Sequence, residues 1–159
     1  MSIIQNMRII DKLIVHCSAT REGQDIRFHT IKKWHVEDNN WSDIGYHYVI
    51  HLDGSIHAGR PIERIGAHTK RHNKSSIGIC YVGGMDKTFT SSKDTRTIAQ
   101  KKSLRILLLE LKAAYPDAVV YGHRDFSNKD CPSFDAQEEY KWISDGYKHK
   151  PREKKEKII

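Results

Sequence analysis

Hydrophobic residues along the chain switch between two periods, and the switches outline the elements. Leu13-Ile14-Val15 is a short apolar, partly β-branched run that ends at His16 and reads as a buried strand. Phe28, Ile31, Trp34 and His35 recur at helical spacing and predict an amphipathic helix over residues 27–38. Trp41 to Gly45 reads as a turn. From Tyr46 to Leu52 the period falls to two, which places Tyr46, Tyr48, Ile50 and Leu52 on one face of a strand. Asp53-Gly54 marks a hairpin, with Ser55–Ala58 as its return strand. Ile77–Val82 is a further apolar strand closed by Gly83-Gly84, and the polar stretch Asp86–Lys93 reads as a loop. Leu104, Leu107, Leu108, Leu111 and Tyr115 share one helical face and predict a helix over 95–114, which Pro116 stops. Ala118-Val119-Val120-Tyr121 is a short buried strand leading into Gly122 and His123. Asp135 and Glu138 have capping-box spacing, and Ala136, Tyr140, Ile143 and Tyr147 share a face behind them. The order β α β β β α β α predicts an α/β single domain with a central mixed β-sheet flanked by helices.

The periodic pattern stops at residue 147. The remaining KHKPREKKEKII, Lys148–Ile159, is polar, contains one proline and reads as a disordered basic tail. Composition then narrows the class. A chain of 159 residues is one domain in length. It has no apolar run long enough to be a transmembrane segment, and Arg8, Asp11 and Lys12 interrupt anything resembling a signal peptide. Synthesis in the cytoplasm is therefore expected. The formal charge of +7 suggests an anionic partner without choosing among nucleic acid, anionic lipid and wall polymer. Residues 148–157 hold six Lys or Arg against two Glu, so the tail carries most of that charge.

Three widely spaced cysteines, Cys17, Cys80 and Cys131, give neither a disulfide framework nor a zinc-finger spacing. Cys17 and Cys80 alternate with apolar neighbours and read as small core residues. Ten histidines are more unusual. His16 and His123 each sit just past an apolar strand, where ligands gather in α/β sheets, and Cys131 lies eight residues after His123. Two imidazoles and one thiolate suit a catalytic zinc that keeps a fourth position for water. Each of the three alone also reads as a packing residue, and spacing does not select this trio from all the histidines and cysteines present.

Six segments together are distinctive: Leu13–Thr20 (LIVHCSAT), Asp43–Ile50 (DIGYHYVI), Gly66-Ala67-His68 with Asn73, Ser76–Ile79 (SIGI), Gly122–Asp125 (GHRD) and Lys129–Pro132 (KDCP). In this order the chain closely resembles N-acetylmuramoyl-L-alanine amidases of the phage T7 lysozyme and peptidoglycan-recognition-protein type. The resemblance runs from Leu13 to Trp142, about four-fifths of the chain. It implies a T7 lysozyme-like amidase fold over residues 1–147. It also implies Zn2+ held by His16, His123 and Cys131, with Tyr46 and Lys129 as catalytic residues and His68 at the substrate. Recognition proteins that only bind wall typically lack the cysteine, so Cys131 favours an enzyme.

The function so implied is zinc-dependent hydrolysis of the amide between the lactyl group of N-acetylmuramic acid and L-alanine in bacterial peptidoglycan. A bacteriolytic phage or prophage endolysin is the expected setting. It would be a monomer, reaching the wall through phage-type lysis or dedicated secretion. The alternative is a non-catalytic peptidoglycan-binding module or partner-inhibiting protein on the same fold. Nucleic acid is not an expected partner, because no recognition motif or aromatic-basic interleaving is present. The histidine-glutamate and paired-cysteine pattern of zinc deaminases is absent too. Asn73 is expected to pin a loop, and His35 and His47 to be structural. Arg60 and Arg64 are either stem-peptide contacts or solvated surface charges. Met85–Thr95 matches no motif and is a candidate edge of the substrate groove.

Overall fold

A computed structural model describes residues 8–146; Tyr147 and the basic tail expected at 148–159 lie outside the described residues. The elements run β1 (Lys12–Cys17), β2 (Thr20–Arg21), α1 (Phe28–Lys33), β3 (Tyr48–Ile50), β4 (Ile56–Ala58), β5 (Ser76–Tyr81), β6 (Gly84–Met85), α2 (Ile98–Ala114), β7 (Val119–Gly122), α3 (Ala136–Glu139) and α4 (Lys141–Ser144). Five strands form one mixed sheet in the order β4-β3-β5-β1-β7. β5 and β7 flank β1 in parallel, β3 extends the sheet in parallel beyond β5, and the hairpin partner β4 is the antiparallel edge. This is the expected α/β domain.

A central parallel strand must bury both faces, which is why β1 reads as a continuous apolar run. Leu13, Ile14 and Val15 are all fully buried. On one face, Leu13, Val15, Ile77, Ile79 and Val120 pack against Leu104, Leu107, Leu108 and Leu111 of α2 and against Tyr140 and Ile143. On the other, Val49 and Val82 pack with Ile31 of α1 and with Ile44.

α2 begins at Ile98, not 95, because Thr97 caps it. The Thr97 hydroxyl accepts from Gln100 N at 3.0 Å and the Gln100 side chain accepts from Thr97 N at 2.9 Å. The buried Gln100 amide also donates to Val82 O at 2.9 Å, tying the helix start to the sheet.

Several expectations needed revision. The helix over 27–38 is α-helical only to Lys33; Trp34–Asp38 is a widened π turn. The C-terminal helix starts at Asp135 as expected, with its side chain accepting from Glu138 N, but it breaks at Tyr140 into α3 and α4. Tyr46 and Leu52 do not share a face with Tyr48 and Ile50: they pack with Val49, because regular pleating extends only over Tyr48–Ile50. The β2–β6 pair was not anticipated, since two-residue strands carry no period.

Candidate metal centre and active site

The parallel pairing of β1 with β7 brings their carboxyl ends to the same edge, with Val15 opposite Gly122. His16 and His123 follow these two residues, so the sheet register sets their rings side by side, with centroids 4.6 Å apart. Cys131 comes back to this edge on the loop after His123. Arg124 N donates to Cys131 O at 2.7 Å, and Cys17 N donates to Cys131 Sγ at 3.3 Å. Tyr81 Oη donates to Pro132 O at 2.6 Å and fixes the next residue. Gly122 has to be small here, because a Cβ on it would lie 2.8 Å from the Pro132 ring.

The ligand atoms of His16, His123 and Cys131 all lie within 4.8 Å of one another. The Cys131 sulfur is 3.8 Å from His16 Nδ1, so that nitrogen faces the group. Two imidazole nitrogens and one sulfur at this spacing fit a zinc ion with one open position. Burial, then the charges of His68, His123 and Lys129, pushes His16 well below the usual histidine range, and burial and Lys129 lower His123. Both rings are thus held in the neutral form that ligates metal. The pairing with Cys17, followed by burial, pushes the Cys131 thiol up.

Tyr46 stands beside this group, its ring 5.1 Å from His16 and 5.4 Å from His35. Burial raises its phenol well above the ordinary tyrosine range, so the hydroxyl keeps its proton. Lys129 is exposed on the same loop as Cys131 and forms no ion pair among the described residues. Its charge is felt by both His16 and His123. All five residues expected at a catalytic centre therefore lie together.

The remaining candidates are placed differently. His68 lies against His16, its Nδ1 2.8 Å from His16 Nε2. Asn73 pins the loop as expected, its Oδ1 accepting from His68 N at 2.9 Å and Thr69 N at 2.8 Å. Arg60 donates to the backbone carbonyls of Ile44 and Ile65, at 3.0 and 2.7 Å. His35 and His47 are structural, accepting from Gly45 N and Gly78 N at 2.9 and 3.0 Å. Sequence reasoning missed Thr69 and took Ser76 only as part of a motif, although both touch the His68 ring. Beside the end of β1 a cleft of about 300 Å³ is lined by Ser18, Thr20, Gln24, Ile26, Trp34 and Phe89. Phe89 comes from the Met85–Thr95 segment.

The family model for N-acetylmuramoyl-L-alanine amidase matches residues 5–134. The endolysin of Escherichia phage T7 is 44% identical over 125 residues, covering 79% of this chain and 82% of its own length. The endolysin of Klebsiella phage KP32 is 44% identical over 124 residues, 78% of this chain and 81% of its own. Among solved structures, the N-acetylmuramoyl-L-alanine amidase LysC from Clostridium intestinale superposes with a TM-score of 0.73 at 25% identity, over 90% of this chain and 89% of its own. The ectodomain complex of peptidoglycan recognition proteins LCa and LCx, bound to tracheal cytotoxin, gives 0.70 at 26% identity over 84% and 82%. With matching motifs, fold and relatives that share most of their length, the chain belongs to the N-acetylmuramoyl-L-alanine amidase family, of the T7 lysozyme and peptidoglycan-recognition type, and is an amidase acting on peptidoglycan.

Proposed function

We propose that this amidase is a zinc-dependent endolysin that cleaves between the lactyl carbonyl of N-acetylmuramic acid and the L-alanine nitrogen. The observation that carries the reading is the convergence of His16, His123 and Cys131 within 4.8 Å, with Tyr46 packed against His16. In this reading His16, His123 and Cys131 hold the metal. Bound zinc supplies a water acidified to near neutral pH and a Lewis acid for the carbonyl oxygen.

The chain's own groups do the rest. The Lys129 ammonium offsets the negative charge that grows on the lactyl oxygen as its carbon is attacked. Tyr46 Oη hydrogen-bonds the attacking water and relays a proton to the alanine nitrogen as the C–N bond breaks. The products are a lactyl carboxylic acid and a free alanine amine, so water is consumed and the protons balance.

The enzyme acts as a monomer on the wall after release by phage-type lysis or dedicated secretion. Among the described residues no helix is long and apolar enough to cross a membrane. The basic residues of 148–159 add affinity for anionic wall. The deciding experiment incubates pure protein with isolated cell walls. New alanine amino groups without new reducing sugar ends, abolished by chelator and restored by zinc, are expected. Wall binding without amine release in the presence of zinc would overturn the reading in favour of a silent binding module.

A further inference from the structure

His68 is partly buried, and both of its ring nitrogens are taken. Nδ1 lies 2.8 Å from His16 Nε2 and 2.9 Å from Thr69 Oγ1, and Nε2 lies 3.3 Å from Ser76 Oγ. Thr69 Oγ1 is itself 3.3 Å from His16 Nε2, so it braces the junction of the two rings. The ring is held from behind as well. A Cβ at Gly78 would come within 2.5 Å of it, so only glycine on β5 leaves room. Its backbone is fixed by Asn73, as described above. A histidine with both nitrogens engaged and its ring wedged against a strand has no hydrogen-bonding atom left for a substrate.

Proton placement then follows from one constraint. A neutral imidazole that ligates through Nδ1 carries its proton on Nε2. His16 Nδ1 faces Cys131, so His16 Nε2–H points at His68 Nδ1, which must accept. His68 consequently carries its own proton on Nε2 and donates it to Ser76 Oγ. A neutral histidine here takes the place of the carboxylate or carbonyl that commonly orients a metal-bound histidine.

We propose that His68 is a positioning residue of the metal centre: it holds His16 in the Nε2–H form and directs His16 Nδ1, not Nε2, at the metal. Ser76 and Gly78 serve the same end by fixing the His68 tautomer and ring plane. The inference rests on the reading that His16, His123 and Cys131 bind zinc.

The test begins with the unaltered full chain. In zinc-loaded protein, two-bond ¹H–¹⁵N correlations of the imidazole rings should show His16 protonated at Nε2 and metallated at Nδ1. The opposite pattern overturns the inference without any mutation. Zinc affinity is then measured by competition with a chromophoric chelator. H68L, which keeps bulk and removes the acceptor, should bind zinc about 10- to 100-fold more weakly. H68N, whose Oδ1 can stand where Nδ1 stood, should recover most of the loss. With zinc saturating, KM for a soluble muramyl peptide should stay near the wild-type value in H68N. Wild-type zinc affinity in both variants, with a raised KM, would make His68 a substrate contact and overturn the inference alone. Unaltered protein that takes up no zinc, or a C131S variant that binds it as tightly as wild type, would instead overturn the metal-centre reading.

Discussion

Replacing the Cys131 sulfur by the oxygen of serine removes the softest donor while changing side-chain volume little. C131S should therefore keep its fold, lose zinc on dialysis and lose amidase activity together; metal analysis and amine release read both. Y46F is a narrower change, since the ring keeps its packing on His16 and His35 and only Oη is lost. It should lower kcat by about 10²-fold or more at little cost in KM. K129A should lower kcat by a similar factor, as expected for loss of one charge-stabilising group.

His47 carries a pH dependence of a different kind. Burial, reinforced by Arg8 and Arg60, lowers it to about 4 from an ordinary 6.5. In the fold it stays neutral, accepting from Gly78 N and donating to Arg64 O at 2.9 Å. As pH falls through 6.5 the unfolded chain takes up a proton that the folded chain refuses until about 4. Stability is therefore full above 6.5 and is lost across that window, by at most about 3 kcal/mol from this residue. Urea midpoints measured from pH 7 to 4 should fall, and H47Q should flatten the fall. The residues proposed to ligate or react were readable from strand ends and motifs. The engaged nitrogens of His68 were not, because His16 lies 52 residues away and nothing in the local sequence shows which way the His68 ring turns toward Thr69 and Ser76.

At the scale of elements, the start of α2 shows what a local motif can specify. Thr97 and Gln100 satisfy each other's backbone N–H groups at the helix start. T97A should cost about 1 kcal/mol, seen as a lower thermal midpoint with unchanged activity. Long elements were legible, β1 and β5 as continuous apolar runs and α2 because it repeats its helical period several times. Short ones were not. β2 and β6 have two residues each and pair in parallel where Gly83-Gly84, both at positive φ, carries the chain beside Thr20. The π turn after Lys33 and the break at Tyr140 likewise answer to packing: Ile31 and Ile143 on either side are buried, and the chain bends to keep them so. The Met85–Thr95 segment is polar in sequence yet anchored, with Ser92 Oγ donating to Asp130 at 3.0 Å and Lys93 paired with Glu22 at 2.8 Å. Arg96 closes it by bridging Asp94 and Glu139, at 2.8 and 2.7 Å.

For the whole molecule, more than half of the net charge lies at the end of the chain. Residues 148–157 hold six Lys or Arg against two Glu, out of a formal net charge of +7. Deleting Lys148–Ile159 should weaken wall association at low salt and remove most of its salt sensitivity, since such attraction is screened within about 10 Å at 0.1 M. Turnover on a soluble muramyl peptide should be unchanged; a matching loss there would place the tail in catalysis. The amino-acid sequence by itself determined the α/β class, the long strands and α2, the family and the residues able to ligate zinc, because these depend on periods and motifs contained in contiguous segments. Only the tertiary structure decided which nitrogen of His16 faces Cys131, that His68 lies against His16 and that Arg60 meets the carbonyls of Ile44 and Ile65. The meetings of His16 with His68 and Cys131 join segments 52 and 115 residues apart, the Arg60 contacts depend on how its loop folds back, and no local pattern encodes where such side chains meet.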